Sequence, residues 1–476
     1  MKVDDALLEA KLQELARLLP DSGDLRALLE SFLRTGSDAE VVRINPVAFA
    51  RNHGCDEAAL IEFFLHGRKI GLLRMEWQYV CPGCGDIVES FQSLSSATAH
   101  FFCQICSTDR DADLSDSIQI SFSVSKEIRK SRFHDPSSLS PEEYFFAYRF
   151  AENGVLEDGT PLREHLRRRM AICAFIEAGE TLSFEVDTHP GFLWFTNGPA
   201  LMLLDDRSEE TRRFAFEYTG TRSAGYRADI AAGPVHVDFT NATDERYALY
   251  VANFVGEPEW TMTPFLSGAQ LLTNQTFLDL FQDETIVAAE GLAVKRLALV
   301  FTDIQGSTAL YDRIGDMKAF DLVRMHFGYL RGSISRNSGA LVKTIGDAVM
   351  ASFHDPLDAL RAALDMHAQI ARFNKEAGTD LVGLKVGAHV GTCLAVTLNG
   401  RLDYFGQAVN IAARVQALSD ANEIYLTDEM LAIPRAKELL AGFAIEARSV
   451  ELKGVKGTVR VHRVLPRVGS NAKDPR

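Results

Sequence analysis

Three observations on the sequence predict a multidomain α+β protein. The chain has 476 residues, of which 46% are hydrophobic, so it can bury several cores. Its seven cysteines include two CxxC pairs. The spacing of apolar residues changes along the chain, from helical near the N-terminus to alternating in the middle, and then to successive strand and helix patterns in the last third. These changes indicate several domains of different class.

We expect six segments, which differ in composition and in periodicity. They are a helical, winged-helix-like module (1–75), a four-cysteine, zinc-ribbon-like segment (76–112), a β-rich regulatory domain (113–265), a helical linker (266–295), a mixed C-terminal domain (296–467) and a flexible tail (468–476).

Charge and hydropathy exclude some classes of function. The formal net charge of −15 argues against a general nucleic-acid-binding protein. The sequence has neither an uncharged apolar run of about 18 residues nor a charged-then-apolar leader, so we expect no membrane association. Seven cysteines, four of them in CxxC pairs, suit a reducing compartment better than a disulfide framework. We therefore expect a cytoplasmic protein.

The N-terminal module has the rhythm of two helices around a glycine turn. Residues 45–54 end in Gly54, and a second helical pattern runs from Asp56 to Ile70. A helix-turn-helix of this kind can bind DNA, but its second helix offers acidic and apolar residues where a reading helix carries Arg, Asn or Gln. The pattern favours packing or protein contact over DNA binding.

The cysteine-rich segment has the spacing of a structural zinc site. Cys81-Pro-Gly-Cys84 and Cys103-Gln-Ile-Cys106 enclose 18 residues, which is typical of two knuckles around one tetrahedral ion. Four thiolates leave no open coordination position, so the predicted Zn²⁺, one per chain, is structural. The alternative is four unligated thiols in a core.

The middle of the chain alternates apolar and polar residues. The pattern recurs near residues 118–124, 182–186, 235–239 and 247–251 and predicts half-buried antiparallel strands in a sandwich or curved sheet. It shows no cluster of catalytic residue types, so we expect a regulatory domain.

The C-terminal domain begins with a βαββαβ order of elements. We expect a strand at 297–302, a helix at 307–336, strands at 340–345 and 348–353, a helix at 357–376 and a strand at 382–390. This order predicts a ferredoxin-like core. Phe320, Val323, Phe327 and Leu330 form the apolar stripe expected of the first helix. Asn399-Gly400 has the composition of a hairpin turn.

Two carboxylates stand near glycines at the ends of predicted strands. Asp303 precedes Gly306-Ser307-Thr308, and Asp347 follows Gly346. Paired carboxylates are hard oxygen ligands that suit Mg²⁺ or Mn²⁺, and backbone N–H groups after a glycine turn can hold phosphate oxygens. The alternative, two unrelated turn carboxylates, explains each aspartate alone but not both with their matching flanks.

Five short motifs follow one another in the last third of the chain. They are Phe-Thr-Asp303-Ile with Gly-Ser-Thr, Lys343-Thr-Ile-Gly-Asp347, Asp403-Tyr-Phe-Gly406, Asn410-Ile-Ala-Ala-Arg414, and Leu-Lys453-Gly. In this order they resemble the catalytic domain of class III nucleotide cyclases, over residues 297 to about 465. The region upstream also resembles the N-terminal region of some bacterial cyclases.

The resemblance implies a role for each matching position. Asp303, Asp347 and the backbone oxygen of Ile304 would hold two Mg²⁺ or Mn²⁺ ions per active site. The remaining positions would bind the substrate: the base (Lys343, Asp403), the ribose (Asn410), the phosphate in the transition state (Arg414), and the other phosphate groups (Gly306, Ser307, Thr308, Lys453). A lysine donor and an aspartate acceptor complement the N1 acceptor and N6 donor of adenine, whereas guanine presents the opposite pattern.

The resemblance also implies a homodimer. Lys343 and Asp347 lie four residues apart around one turn, so both are not expected to reach the same nucleotide from one chain. By resemblance, one protomer supplies Asp303 and Asp347 to each of two equal sites in an antiparallel homodimer. The partner supplies Lys343, Asp403, Asn410 and Arg414. The expected activity is an adenylate cyclase that forms 3′,5′-cyclic AMP and pyrophosphate from ATP. The alternatives are a catalytically weak nucleotide sensor and a guanylate cyclase.

Overall fold

The computed structural model describes residues 3–197, 200–220, 227–256, 259–287, 291–377 and 382–466. The chain divides into two compact units. Most residues up to 266 form the N-terminal unit, and the C-terminal unit runs from residue 267. Two short upstream segments, 93–99 and 113–115, also belong to the C-terminal unit. The predicted flexible tail lies outside the described residues, and the finer domain boundaries stay predictions.

Helices open the N-terminal unit, and side chains cap their first turns. Asp4 accepts a hydrogen bond from the N–H of Leu7, and Asp56 accepts one from Ala59, which satisfies N–H groups that have no partner inside a helix. Gly54 ends the third helix in the left-handed region, with φ 67°. The helices are α1 (Asp5–Leu18), α2 (Gly23–Thr35), α3 (Pro46–His53), α4 (Glu57–Lys69), α5 (Pro141–Glu143) and α6 (Leu162–Arg169).

Strands make up most of the rest of this unit. They are β1 (Leu73–Val80), β2 (Ile87–Phe91), β3 (His100–Cys103), β4 (Thr108–Asp111), β5 (Ile118–Val124), β6 (Gly154–Leu156), β7 (Met170–Ile176), β8 (Thr181–Thr188), β9 (Gly191–Phe195), β10 (Ala200–Arg207), β11 (Arg212–Tyr218), β12 (Arg227–Asn241), β13 (Tyr247–Phe254), β14 (Trp260–Met262) and β15 (Leu266–Ser267). One sheet has the order β15-β5-β1-β2, and two smaller sheets pair β3 with β4 and β14 with β6. Since β1 begins at Leu73, the helical part ends just before residue 75. The winged-helix interpretation stays a prediction.

The β-rich middle is confirmed, but the expectation that its strands are all antiparallel is wrong. The larger sheet has the order β11-β12-β10-β9-β13-β7, and β8 also pairs with β12. Strand β12 runs parallel to both β10 and β11. At Gly233, φ is 126°, and a Cβ would lie 2.1 Å from the carbonyl oxygen of Ser208. This 15-residue strand pairs with β10 through residues 227–232, before Gly233, and with β11 through residues 235–241, after it.

The C-terminal unit contains the expected βαββαβ core. Its elements are α7 (Gly268–Leu272), α8 (Gln275–Leu280), β16 (Leu292–Ile304), α9 (Ser307–Ile314), α10 (Asp316–Arg336), β17 (Gly339–Ile345), β18 (Ala348–Phe353), α11 (Pro356–Glu376), β19 (Leu384–Leu398), β20 (Arg401–Phe405), α12 (Gln407–Gln416), β21 (Glu423–Thr427), α13 (Asp428–Leu431), α14 (Ala436–Leu439), β22 (Phe443–Glu451) and β23 (Thr458–Pro466). The sheet order is β17-β18-β16-β19-β21-β23-β22, and β20 pairs with β19. Asn399 and Gly400 form the predicted hairpin turn with positive φ values.

Two details of this core differ from the expectation. The first helix is interrupted at Gly315, whose φ of 81° is outside the helical region, so α9 and α10 replace a single helix. Phe320, expected on the buried stripe, is 61% exposed, whereas Val323 and Leu330 are buried.

Among the described residues, no helix has both the length and the apolarity needed to cross a membrane.

Close packing fixes the position of α12 against the sheet. Gly387 of β19 has no Cβ, and a Cβ there would lie 2.2 Å from the backbone nitrogen of Gln416. Ala408, Ala412 and Val415 form the buried side of α12. This approach places the opposite side of α12, which carries Asn410 and Arg414, in solvent.

Candidate functional site

The carboxylates of Asp303 and Asp347 form a pair at one end of the C-terminal sheet. Asp303 lies near the end of β16, and Asp347 lies in the two-residue turn between β17 and β18. Burial and, next, the negative charge of Asp347 raise the pKa of Asp303 above its ordinary value. The sheet therefore brings together two carboxylates that repel each other.

This pair fits a divalent cation. Atom Oδ2 of Asp347 is buried, and no hydrogen-bond donor reaches it within the described part of the chain. A buried carboxylate oxygen without a partner is costly, and so is the repulsion between two carboxylates. A dication bound by both would offset the two costs, and carboxylate oxygens are ligands that Mg²⁺ and Mn²⁺ prefer. The carbonyl oxygen of Ile304, the next residue after Asp303, stays the predicted third ligand.

A glycine turn joins β16 to α9 beside the pair. Gly306 has φ 69°, a conformation that glycine adopts without strain, and α9 begins at Ser307. No side chain caps the start of this helix within the described residues. Its first N–H groups are therefore available to an anion such as a phosphate. The side chain of Thr308 lies outside the described residues.

Lys343 and Asp403, the predicted base-reading residues, meet within one chain. Lys343 Nζ lies 2.5 Å from Asp403 Oδ2. The Asp403 side chain is 9% exposed, whereas that of Lys343 is 38% exposed. The other carboxylate oxygen, Oδ1, accepts the backbone N–H of Tyr404 at 2.8 Å, which holds the carboxylate in place. Asp403 is therefore a hydrogen-bond acceptor in a fixed position, and the more exposed Lys343 side chain contacts it.

The structure does not join the remaining predicted residues to the carboxylate pair. Asn410 and Arg414 are exposed on α12, one turn apart, and Lys453 is exposed in the turn between β22 and β23. No hydrogen bond or ion pair of the described residues links any of them to Asp303 or Asp347. A single chain therefore presents the predicted site as separate parts.

The four cysteines form one cluster in the N-terminal unit. Their sulfur atoms all lie within 4.8 Å of one another. Cys81 and Cys84 lie in the turn between β1 and β2. Cys103 is the last residue of β3, and Cys106 lies in the turn between β3 and β4. Hydrogen bonds from the other thiols, that of Cys103 first, lower the pKa of Cys81, whereas burial raises the pKa of Cys84. Four sulfurs at these separations fit one tetrahedral metal ion.

Buried polar groups support this cluster. The Cys103 sulfur lies 3.6 Å from Asp86 Oδ2, and Asp86 is paired with Arg149 at 2.6 Å. Both members of the ion pair are buried. A hydrogen-bonded neighbourhood of this kind orients metal ligands.

The sequence analysis missed one residue beside the carboxylate pair. Lys385 of β19 lies directly opposite Asp303 of β16 in the antiparallel register, so both side chains are on the same face of the sheet. The positive charge of Lys385 opposes the rise in the pKa of Asp303. A lysine in a strand carries no sequence signal for such a position, because strand register decides it.

Comparison with known proteins matches the chain to two families, and the boundary between the two matches lies within the predicted linker (266–295). Residues 10–279 match the model described as "Family of unknown function (DUF5939)", and residues 292–465 match "Adenylate and Guanylate cyclase catalytic domain". The second match confirms the sequence resemblance.

Individual relatives match about a third of the chain. An adenylate cyclase of Anabaena cylindrica is 26% identical over 203 residues, which are 38% of this chain and 40% of the relative. An adenylate cyclase of Mycosarcoma maydis is 30% identical over 158 residues, 29% of this chain and 6% of the relative. The chain thus spans less than half of the length of these relatives. The solved adenylyl cyclase CyaB from P. aeruginosa has 22% identity and a TM-score of 0.33, covering 36% of this chain and 95% of that one.

Proposed function

Since the chain belongs to the DUF5939 family of unknown function and carries an adenylate and guanylate cyclase catalytic domain at its C-terminus, we propose that it is an adenylate cyclase regulated by its N-terminal unit. The proposed reaction is attack of the ribose 3′ oxygen of ATP on the α-phosphorus, which releases pyrophosphate and leaves 3′,5′-cyclic AMP. The observation that carries the proposal is the pairing of Lys343 with Asp403, because it supports ATP over GTP within the cyclase class.

The Lys343–Asp403 pair matches the hydrogen-bonding edge of adenine. The lysine donates to the N1 acceptor, and the carboxylate accepts from the N6 amino group. Guanine would set its N1 donor against the lysine and its O6 acceptor against the carboxylate. Because Asp403 is nearly buried, a mismatched base leaves a buried acceptor unpaired, and a site built for such bonds can reject the wrong partner by roughly 10⁴.

The carboxylate pair provides the cation-binding part of the reaction. Asp303, Asp347 and the carbonyl of Ile304 would hold two Mg²⁺ or Mn²⁺ ions. Such ions stabilise the attacking and the leaving oxygens of an in-line displacement. The N–H groups at the start of α9, after Gly306, would orient the phosphate chain.

A second copy of the chain would complete the site. Asn410 and Arg414 are exposed, and no hydrogen bond or ion pair among the described residues joins them to the carboxylate pair. We therefore place them on the nucleotide held by the partner, Arg414 on the phosphate and Asn410 on the ribose. Lys453 would bind the terminal phosphates in the same way. The C-terminal unit also exposes large apolar side chains, which favour burial against another protein surface: Met317, Phe320, Ile345 and Phe405.

The four-cysteine cluster is the proposed site of one structural Zn²⁺ per chain. Its four sulfurs would complete a tetrahedral coordination sphere and leave no position for a substrate. The absence of zinc from freshly purified protein would remove this assignment. The expectation of a cytoplasmic protein stays a prediction.

The purified full-length chain, given Mn²⁺ and either ATP or GTP, tests the proposed activity. We expect cyclic AMP from ATP and little cyclic GMP from GTP. Lys343→Glu combined with Asp403→Cys should weaken the use of ATP relative to GTP, because both hydrogen-bonding partners of adenine are lost. An unchanged preference for ATP would contradict the base-reading proposal, and no cyclic nucleotide from either substrate would favour a nucleotide sensor.

Mixing two inactive variants tests the shared site. Asp347→Ala removes a metal ligand, and Arg414→Ala removes the guanidinium. In a mixed dimer, one of the two sites combines both defects and the other has neither, so activity should return. Asp347→Ala mixed with Asp303→Ala is the control, because each site of that mixed dimer lacks one carboxylate. No recovery in the first mixture would contradict a site built from two chains.

A further inference from the structure

Two segments next to the four-cysteine cluster are part of the C-terminal unit. Residues 93–99 lie between Cys84 and Cys103 in the chain, and residues 113–115 follow soon after Cys106. Both segments belong to the compact unit that carries Asp303 and Asp347. The two hairpins that carry the four cysteines are β1–β2 and β3–β4, and we call them the cysteine hairpins. From each of them the chain continues directly into the proposed catalytic unit.

The first segment is attached to the connector that precedes β16. Glu284 Oε2 accepts hydrogen bonds from Ser93 Oγ at 3.0 Å and from the N–H of Leu94 at 2.9 Å. Leu94 is buried, and with Glu284 it lines a cavity of about 270 Å³. Lys343 and Thr344 of β17 line the same cavity. A shift of this segment thus changes the surroundings of the proposed base-reading lysine.

The second segment is attached to the start of β16 itself. The N–H of Leu114 donates to the carbonyl of Ala293 at 2.8 Å, and the N–H of Ala269 donates to the carbonyl of Leu114 at 2.7 Å. The Leu114 side chain is fully buried. Asp113 pairs with Lys295 at 3.1 Å. Because β16 runs on to Asp303, this attachment acts on the strand that positions one of the two carboxylates.

A metal ion would add a constraint to the hairpins between these attachments. Residues 100–103 are joined to residues 108–111 by the short ladder of β3 and β4 and by the pairing of His100 with Asp111. Structural Zn²⁺ contributes directly to the folding free energy of small domains that bind it. Without metal, the loop that contains residues 93–99 loses the link between Cys84 before it and Cys103 after it.

We propose that the metal bound by Cys81, Cys84, Cys103 and Cys106 controls the C-terminal unit through segments 93–99 and 113–115, so that the cyclase is fully active only when the cluster is loaded. The regulation rests on the proposed function. Loss of metal weakens the attachments at Glu284 and Ala293, which loosens β16 and the cavity wall beside Lys343.

Hydrogen exchange tests this coupling without requiring catalysis. The full-length protein is stripped of zinc with a strong chelator, desalted, and compared with the zinc-loaded protein. We expect the amides of Leu94, Leu114 and Ala269 to exchange at least about fivefold faster after stripping, the lower end of a typical coupling free energy. Cys84→Ser should reproduce the effect, and Cys55→Ser, which lies outside the cluster, should not. Faster exchange confined to the cysteine hairpins, with these three amides unchanged, would overturn the proposal.

Activity provides the second arm. With Mn²⁺ and ATP restored after desalting, we expect the stripped protein to be at least about fivefold slower than the loaded one. Glu284→Ala, which removes the acceptor for Ser93 and Leu94, should slow the loaded protein and reduce its response to stripping. Asp283→Ala is the matched control, because that neighbouring carboxylate is exposed, whereas Glu284 is the acceptor for Ser93 and Leu94. Equal rates with and without zinc in an active wild type would overturn the regulation, whereas a loaded wild type that makes no cyclic nucleotide would refute the proposed function and leave the exchange arm to decide the coupling.

Discussion

The four-cysteine cluster and the Asp303–Asp347 pair both have donors that suit a metal ion, but they are built in opposite ways. The cluster brings four sulfur atoms within 4.8 Å of one another and would complete the coordination sphere of one tetrahedral ion inside one chain. The carboxylate pair supplies two side chains, one of which has a buried oxygen without a partner among the described residues. A closed set of ligands stabilises the polypeptide, whereas an open set leaves coordination positions for a substrate.

The largest expected effect is on catalysis at the Asp303–Asp347 pair, which we call the open site because its set of ligands is incomplete. Asp303→Asn keeps the size of the side chain but removes its charge, so we expect cyclic AMP formation to fall by about 10³-fold, in line with the several kcal/mol that a bound dication contributes. The measurement is the initial rate with Mn²⁺ and ATP. Asp312→Asn, at an exposed carboxylate on α9, is the control. A rate for Asp303→Asn equal to that of the control would show that the pair is not a catalytic metal site.

The next effect is on protein stability at the four-cysteine cluster, which we call the closed site because its four ligands come from one chain. Cys84→Ser removes one of four thiolates, and we expect the unfolding free energy of the N-terminal unit to fall by about 5 kcal/mol, a fraction of the typical binding free energy of a structural zinc ion. Urea unfolding with and without zinc would measure it. Cys55→Ser should behave as wild type, and removal of Mg²⁺ should leave the unfolding curve in place. Equal stability of the two serine variants would contradict a structural metal.

A smaller effect of opposite sign is expected for stability at the open site. The folded protein raises the pKa of Asp303 above its ordinary value, so this group contributes stability when protonated, below about pH 4, and loses it as pH rises through the folded pKa. Near neutral pH the ionised Asp303 is therefore a cost. Asp303→Asn should slightly raise the Tm of metal-free protein near pH 7, with a smaller gain at low pH. A fall in Tm at both pH values would show that the pair is not under electrostatic strain.

The smallest effect concerns the exposed lysines near the C-terminal end. Lys453→Ala should raise the KM for ATP by about tenfold or less, because a solvent-exposed charge contributes on the order of 1 kcal/mol. Lys456→Ala, three residues later on the same exposed turn, is the comparison. A larger change in KM for Lys456→Ala would transfer the predicted phosphate contact to that residue.

Much of the C-terminal domain could be predicted because its signals are local. The helices at 316–336 and 356–376 follow apolar residues at helical spacing, and the hairpin follows Asn399-Gly400. The strands expected at 297–302 and 382–390 are shorter than the observed β16 (Leu292–Ile304) and β19 (Leu384–Leu398). These two long strands pair with each other along most of their length, and such pairing depends on the register of the sheet and not on the local pattern.

The sequence alone predicts which chemical groups this protein carries and in what order. The two CxxC pairs, the strand-end aspartates and the βαββαβ order follow from residue type and short spacing. The tertiary structure decided which of these groups meet. It paired Lys343 with Asp403, set Lys385 opposite Asp303, exposed Phe320 and assigned residues 93–99 and 113–115 to the C-terminal unit. The physical reason is that these contacts join residues far apart in the chain, and strand order and side-chain packing select such contacts only when the whole unit folds.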